Sequence, residues 1–292
     1  MLLKQIDLEA FDYHGLSIRD FGPALNGAAS VAVIRVPEQG EHPFSYSSAC
    51  DKVYYVLEGR LQFSVDGVIY RADRGDVVIV PKGAIFQYYD AWDRPSRLLL
   101  FHLPAFDPAA EHVLPDLLRV HAVHLQGERV TLRPMTEEDW PHVLAWNADP
   151  EVLVWSDGTD EVRPEEDTKS IYRGVSLFAL VFVIEMEGEP IGECWLQKMN
   201  LPEMIALFPG QDLRRLDIMI GRKDLWGHGL GSDAIRTLAD FGLEQERADA
   251  IFAMVSARNP RSQRAFLRAG FEFLPLAATE ECRPLVRRTM GS

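Results

Sequence analysis

A glycine-rich turn set between an apolar strand and an amphipathic helix constrains this chain more than any other feature. The turn is Leu225-Trp226-Gly227-His228-Gly229-Leu230-Gly231-Ser232-Asp233-Ala234. Ahead of it runs Leu216-Asp217-Ile218-Met219-Ile220, and behind it Ile235, Leu238 and Phe241 recur at helical spacing. Strand, glycine turn and helix start can build an anion site from backbone alone. N–H groups converge there, the helix dipole adds partial positive charge, and glycine lets a phosphate come close. Glycines at alternate positions also occur in ordinary loops, so the context has to decide.

That context follows downstream. Ala250–Val255 reads as a strand, and Asn259-Pro260-Arg261-Ser262-Gln263-Arg264-Ala265-Phe266-Leu267-Arg268-Ala269-Gly270 as a short helix. Asn caps its start, Pro takes the first turn, and Gly closes it. These elements, in this order and spacing, resemble the Gcn5-related N-acetyltransferase (GNAT) superfamily over about residues 128–285. The resemblance implies acetyl-CoA as cosubstrate, held by Met219, Ile220, Trp226, Gly227, His228, Gly229, Leu230, Gly231, Ser232, Asn259, Ser262 and Phe266. Two positions depart from the family pattern: Trp226 stands where Arg or Gln is usual, and Phe266 where a Tyr often supplies a proton to the leaving thiolate.

The chain has 292 residues, enough for two cores, and a net charge of −14, which argues against a nucleic-acid partner. Its apolar run Val175–Ile184 is too short to span a bilayer. Three scattered cysteines, Cys50, Cys194 and Cys282, form no metal or disulfide framework, and a cytoplasmic setting without membrane partners is expected.

Residues 1–110 carry short alternating runs separated by turns, with Asp66-Gly67 as a tight hairpin signal. The expected fold is an all-β barrel or sandwich. Lys52–Gly59 and Gly75–Gly83 resemble the two halves of the cupin signature. The four positions where that family places metal ligands hold Tyr46, Ser48, Lys52 and Phe86, so a cupin-like barrel without metal is expected. His42, Cys50 and His102 remain as an alternative ligand set. Phe44, Tyr46, Phe86, Tyr88, Tyr89 and Trp92 suggest an aromatic interior, either as core or as ligand pocket. A homodimer through this domain stays open.

Residues 111–127 read as a connector, and 128–292 as an α/β (α+β) acetyltransferase domain. From Glu137 to Glu193 fifteen acids face three bases, whereas from Cys194 to Ser292 twelve acids face fourteen bases. An acidic acceptor side would gather a polycationic amine, although surface acids also serve solubility alone. Val154–Pro164 resembles the acceptor loop of aminoglycoside 6′-N-acetyltransferases, which implies Trp155, Asp157, Asp160 and Glu161 as substrate contacts. An aromatic face with carboxylates suits an aminosugar. Asp217, alone among apolar neighbours, is the candidate that deprotonates or fixes the amine; a bridge to Arg215 is the competing role. The resemblance implies the Met219 N–H as oxyanion donor. The function expected is acetyl transfer to an aminoglycoside, aminosugar or polyamine. A protein N-terminus or siderophore amine is the alternative acceptor, and a cupin sensor with a weakened GNAT half is the alternative class.

Overall fold

The computed structural model describes residues 4–23, 27–92, 94–156 and 158–288. It separates into two compact units, Met1–Pro115 and Asp116–Ser292, so the division falls inside the expected connector.

The first unit is all β. Its strands are β1 (Phe11–Tyr13), β2 (Leu16–Pro23), β3 (Ser30–Val36), β4 (Glu41–Ser47), β5 (Asp51–Glu58), β6 (Arg60–Val65), β7 (Val68–Asp73), β8 (Val77–Val80), β9 (Phe86–Asp90), β10 (Ser96–Leu103) and β11 (Glu111–Val113). They form a sheet ordered β1-β2-β3-β10-β5-β8 and another ordered β11-β4-β9-β6-β7. Alternation sends every second residue of β3, β6 and β10 into a shared core with Ile34, Tyr54, Phe63, Phe86, Tyr88 and Leu98. Asp66 and Gly67 both take positive φ and turn β6 into β7, as the sequence signal requires. Pairing of β11 with β4 shows that residues 111–113 belong to this sheet.

The second unit runs β12 (Leu125–Gln126), β13 (Thr131–Pro134), α1 (Trp140–Asn147), α2 (Pro150–Ser156), α3 (Glu165–Ser176), β14 (Ala179–Met186) and β15 (Glu189–Lys198). It continues with α4 (Pro202–Leu207), β16 (Leu213–Ile220), α5 (Leu230–Glu244), β17 (Ala250–Ser256), α6 (Pro260–Arg268), β18 (Glu272–Phe273) and β19 (Cys282–Arg288). One eight-stranded sheet, β12-β13-β14-β15-β16-β17-β19-β18, carries helices on both faces. Helix α5 buries Leu230, Ala234, Ile235, Leu238 and Ala239 in one stripe against β13, β15, β16 and β17. Each such Leu or Ile contributes about 1.5–3 kcal/mol by leaving water. At Gly192 the strands β15 and β16 approach so closely that a Cβ would lie 2.2 Å from the Met219 carbonyl oxygen.

Two features of this unit position the site. The β16–β17 ladder is parallel but extends only over Leu213↔Ala250, Arg214↔Ile251 and Arg215↔Phe252. Beyond Arg215 the strands part, and the gap opens at their C-terminal ends. The other feature is Asp233, a buried carboxylate on α5 that accepts from the backbone N–H of Glu128 (3.3 Å), Arg129 (2.7 Å) and Val130 (3.2 Å).

Candidate functional site

The glycine turn lies at the mouth of the gap between β16 and β17. Gly227 and Gly229 both take positive φ, and Gly229 is the N-cap of α5. With φ near +85° at Gly229 a side chain would strain the cap, so glycine is required there for backbone reasons alone. A cavity of about 320 Å³ sits against this turn. Met219, Ile220, Trp226, Gly227, Gly229, Leu230, Gly231, Ser232, Asn259 and Ser262 all line it. His228 does not; its carbonyl accepts from Arg129 Nη1 at 2.6 Å. Phe266 lines the neighbouring cavity instead and packs edge-on to Phe271, 5.1 Å between ring centres.

Sequence reasoning missed the charge of this cavity. Arg261, Arg264 and Arg268 of α6 all line it. Their i, i+3, i+7 spacing puts three guanidiniums on one helical face, a signal readable in the sequence once α6 is set opposite the glycine turn. Arg261 lies over the Trp226 ring at 3.7 Å and 5.4 Å from the centre of the Trp155 ring. Trp226 is itself anchored, its indole N–H donating to the Ile220 carbonyl at 2.7 Å. Thus Trp226, standing where Arg or Gln is usual in the family, is covered by the guanidinium of Arg261 from α6. Burial pulls the Arg261 guanidinium below its usual pKa.

A second cavity of about 410 Å³ adjoins the first and shares Trp155, Ser156, Ile218, Met219, Asn259 and Ser262 with it. Asn259 links α6 to α2: its Oδ1 accepts from the Ser262 N–H at 3.0 Å and its Nδ2 donates to the Trp155 carbonyl at 3.1 Å. Asp217 lines the second cavity. Its Oδ1 accepts from Arg215 Nε (3.1 Å) and Nη2 (2.8 Å), and its Oδ2 from Gln197 Nε2 (3.0 Å). The bridge anticipated as a competing role is therefore present. Glu193, unremarked in the sequence, lines the same cavity and is 6% exposed. Register pairs Glu193 with Met219 and Trp195 with Asp217, so both carboxylates project from one sheet face. Cys282 lies here too, its thiol pushed up by burial.

Of the expected substrate contacts, Trp155 borders both cavities, whereas Asp160 and Glu161 are exposed and line neither. Asp157 lies outside the described residues. In the first unit His42, Cys50 and His102 are not brought together; His42 Nδ1 lies 2.8 Å from the Pro43 carbonyl and His102 Nδ1 3.1 Å from Ser30 Oγ. Among the described residues, no three His, Cys, Asp or Glu side chains form a metal cage. No helix among them is long and apolar enough to cross a membrane.

The class to which this splayed α+β sheet and its cationic glycine-turn cavity belong, the acyltransferases, is given by the family comparisons. Residues 129–272 match the acetyltransferase (GNAT) domain family, and residues 32–102 the cupin domain family. The chain thus carries a cupin domain followed by a GNAT domain, and the second supports an acetyl-CoA-dependent N-acetyltransferase. It is 26% identical over 161 residues to aminoglycoside N(6′)-acetyltransferase type 1 of Klebsiella pneumoniae, covering 50% of this chain and 75% of that protein. Among solved structures, AAC(6′)-Ib in complex with paromomycin and acetyl-CoA is 22% identical with a TM-score of 0.46, covering 55% of this chain and 94% of that one. Pac13 from Streptomyces, described as a nucleoside dehydratase, is 20% identical with a TM-score of 0.35, covering 39% and 90%.

Proposed function

We propose that the second unit acetylates a primary amine of a small polycationic acceptor, an aminosugar or polyamine. One observation carries this reading: two adjoining cavities of opposite character meet at Met219 and Asn259. The first is lined by three arginines, and the second holds Asp217 and Glu193 against the single Arg215 paired with Asp217. The name of the Klebsiella relative, an aminoglycoside acetyltransferase, points to the same acceptor class.

The residues present suit coenzyme A. Three guanidiniums and the start of α5 answer its phosphates, while the parted strands leave backbone of β16 to face a chain-like ligand. Bound there, the cosubstrate supplies an activated acetyl thioester. Trp155, on the wall common to both cavities, would stack an amine-bearing ring. Asp217 and Glu193 attract the ammonium, and Asp217 accepts its proton directly or through water. The Arg215 contact orients the Asp217 carboxylate within the cavity. Register turns the Met219 N–H toward Glu193 of β15, against the expectation from the family, so the donor to the carbonyl oxygen that gains charge is a β16 N–H facing the gap, that of Ile218 or Ile220. With Phe266 in place of a hydroxyl-bearing side chain, the thiolate leaves without a protein acid at that position. The reading needs no metal, nucleic acid or membrane.

Free thiol release from acetyl-CoA, followed with a panel of aminoglycosides, polyamines and peptides, tests it. Turnover should favour acceptors with two or more amines. Acetylation confined to peptide N-termini would overturn the acceptor class, and no turnover with any acceptor would overturn the reaction.

A further inference from the structure

The two sheets of the first unit present different outer faces. The sheet containing β6, β7 and β9 turns outward a mixture of Gln62, Ser64, Arg71 and Gln87 with Ile69 and Tyr89, as a solvated antiparallel face does. The other sheet does not. One row across its strands β3, β10, β5 and β8 reads Val33-Leu99-Tyr55-Val77. The next outward row reads Val31-Phe101-Val53-Ile79. All eight are apolar and none is fully enclosed; Tyr55, Val77 and Ile79 are 39%, 52% and 62% exposed. Their inward neighbours Ile34, Leu98, Tyr54 and Val78 already fill the core, so the fold itself has no use for a second apolar face. A contiguous uncharged face of this kind marks a contact surface.

Charge begins only at its border. Arg19 of β2 stands opposite Val33 on one side, and β8 is the edge of the sheet on the other. Past the first row Arg35 and Arg97 are paired in register, and Arg97 meets Glu58 of β5 at 3.3 Å. The Arg97–Glu58 pair therefore spans β10 and β5, the two central strands of the patch.

We propose that two copies of the chain join through this face, as a two-fold dimer whose axis runs parallel to the strands between β10 and β5. An uncharged apolar face needs a partner face equally free of charge, and a second copy supplies one. This axis lays β10 of one copy over β5 of the other, so Leu99 meets Tyr55 and Phe101 meets Val53, each contact made twice. The outer strands follow, with β3 over β8: Val33 meets Val77, Val31 meets Ile79, and Arg35 comes to the exposed Asp76 at the start of β8. At the border Arg97 of each copy meets Glu58 of the other, closing a ring of four alternating charges around the axis. The twist of packed sheets displaces residues beside the axis least, so these central contacts decide the fit. None of these residues belongs to the acetyl-transfer site, so the inference stands apart from the proposed reaction.

Sedimentation velocity of the full-length protein across micromolar concentrations tests it, and a concentration-dependent dimer is expected. Ile79→Lys should raise the dimer dissociation constant about ten-fold or more, the cost of a charge on a buried contact, and leave the far-UV spectrum unchanged. Glu58→Arg makes the ring all positive and should weaken the dimer about 5-fold or more; adding Arg97→Glu restores alternation and should recover most of the loss. A dimer indifferent to Ile79→Lys would overturn the proposal, because another surface then joins the copies. A double variant no tighter than Glu58→Arg alone would overturn the two-fold placement. A wild-type monomer at every concentration also overturns it. In that case a lower Tm for Ile79→Lys would assign the face to a contact within one chain, and an unchanged Tm to a different protein.

Discussion

Asp217→Asn separates chemistry from architecture. In the folded protein Asp217 takes two hydrogen bonds from Arg215, at 2.8 and 3.1 Å, and one from Gln197 at 3.0 Å. Asparagine keeps an acceptor toward Arg215 but turns an amide against the Gln197 amide and removes the charge. The Arg215 and Asp217 side chains are 24% and 27% exposed, so solvent screens their pairing. An exposed pair of this kind contributes about 0.2–1 kcal/mol. For a unit of this size that lowers Tm by roughly 0.4–4 °C. Loss of a general base is a different order of effect, about 10²–10⁴ in turnover, or roughly 2.7–5.5 kcal/mol of barrier. The assay is thiol release at neutral pH with saturating acceptor, beside calorimetric coenzyme A binding and a melting curve. Turnover should fall within that range while coenzyme A affinity holds, and raising the pH should restore part of the rate by supplying neutral amine. Arg215→Gln should cost similar Tm but far less turnover. Near-normal turnover by a folded Asp217→Asn protein, or equal turnover losses in the two variants, would refute the reasoning.

Arg261→Ala should weaken coenzyme A binding about 10- to 150-fold, the range of one charge-assisted hydrogen bond, and shift the fluorescence of Trp155 and Trp226; unchanged affinity would remove Arg261 from the phosphate site. The KM for the amine should rise with ionic strength more than that for acetyl-CoA, and neutralising Asp160 with Glu161 should mimic added salt if these exposed acids steer the acceptor. A silent double variant would make them solvated surface. Protein purified without chelators should carry far less than one equivalent of iron, zinc, nickel or manganese; stoichiometric metal lost on His42→Ala would show that the Lys52 region does hold an ion.

The glycine turn, the Asn-capped α6 and the alternation of β16 were legible because backbone physics writes them into local residue choice. The observed strand places Leu216, Ile218 and Ile220 with one core and Met219 with the other, as a period of two demands. Helix α2 and strands β4 and β9 were not read. His42-Pro43-Phe44 does not alternate in polarity, and only tertiary pairing with β9 makes it a strand. The same limit hid Glu193 and Glu111. Each is an ordinary charged residue in sequence, and only strand pairing shows that one lines a cavity and the other meets Lys52 inside a barrel. The arginines of α6 were visible as residues, but nothing local says which helix face meets the glycine turn.

Asp233 carries a consequence for how this chain can be divided. Its carboxylate holds the backbone of residues 128–130, so the helix that begins at the glycine turn also grips the first strand of its own domain. Leu118 donates its N–H to Glu137, and Arg119 to Ser176, which binds the preceding segment to the same fold. A boundary drawn at the family match would remove the Glu128 donor and make Arg129 a chain end, leaving a buried anion held by a terminus that can fray. Grafts and shuffled fusions of this acetyltransferase should therefore be cut before Asp116, where the seam is structural and not merely a change of motif.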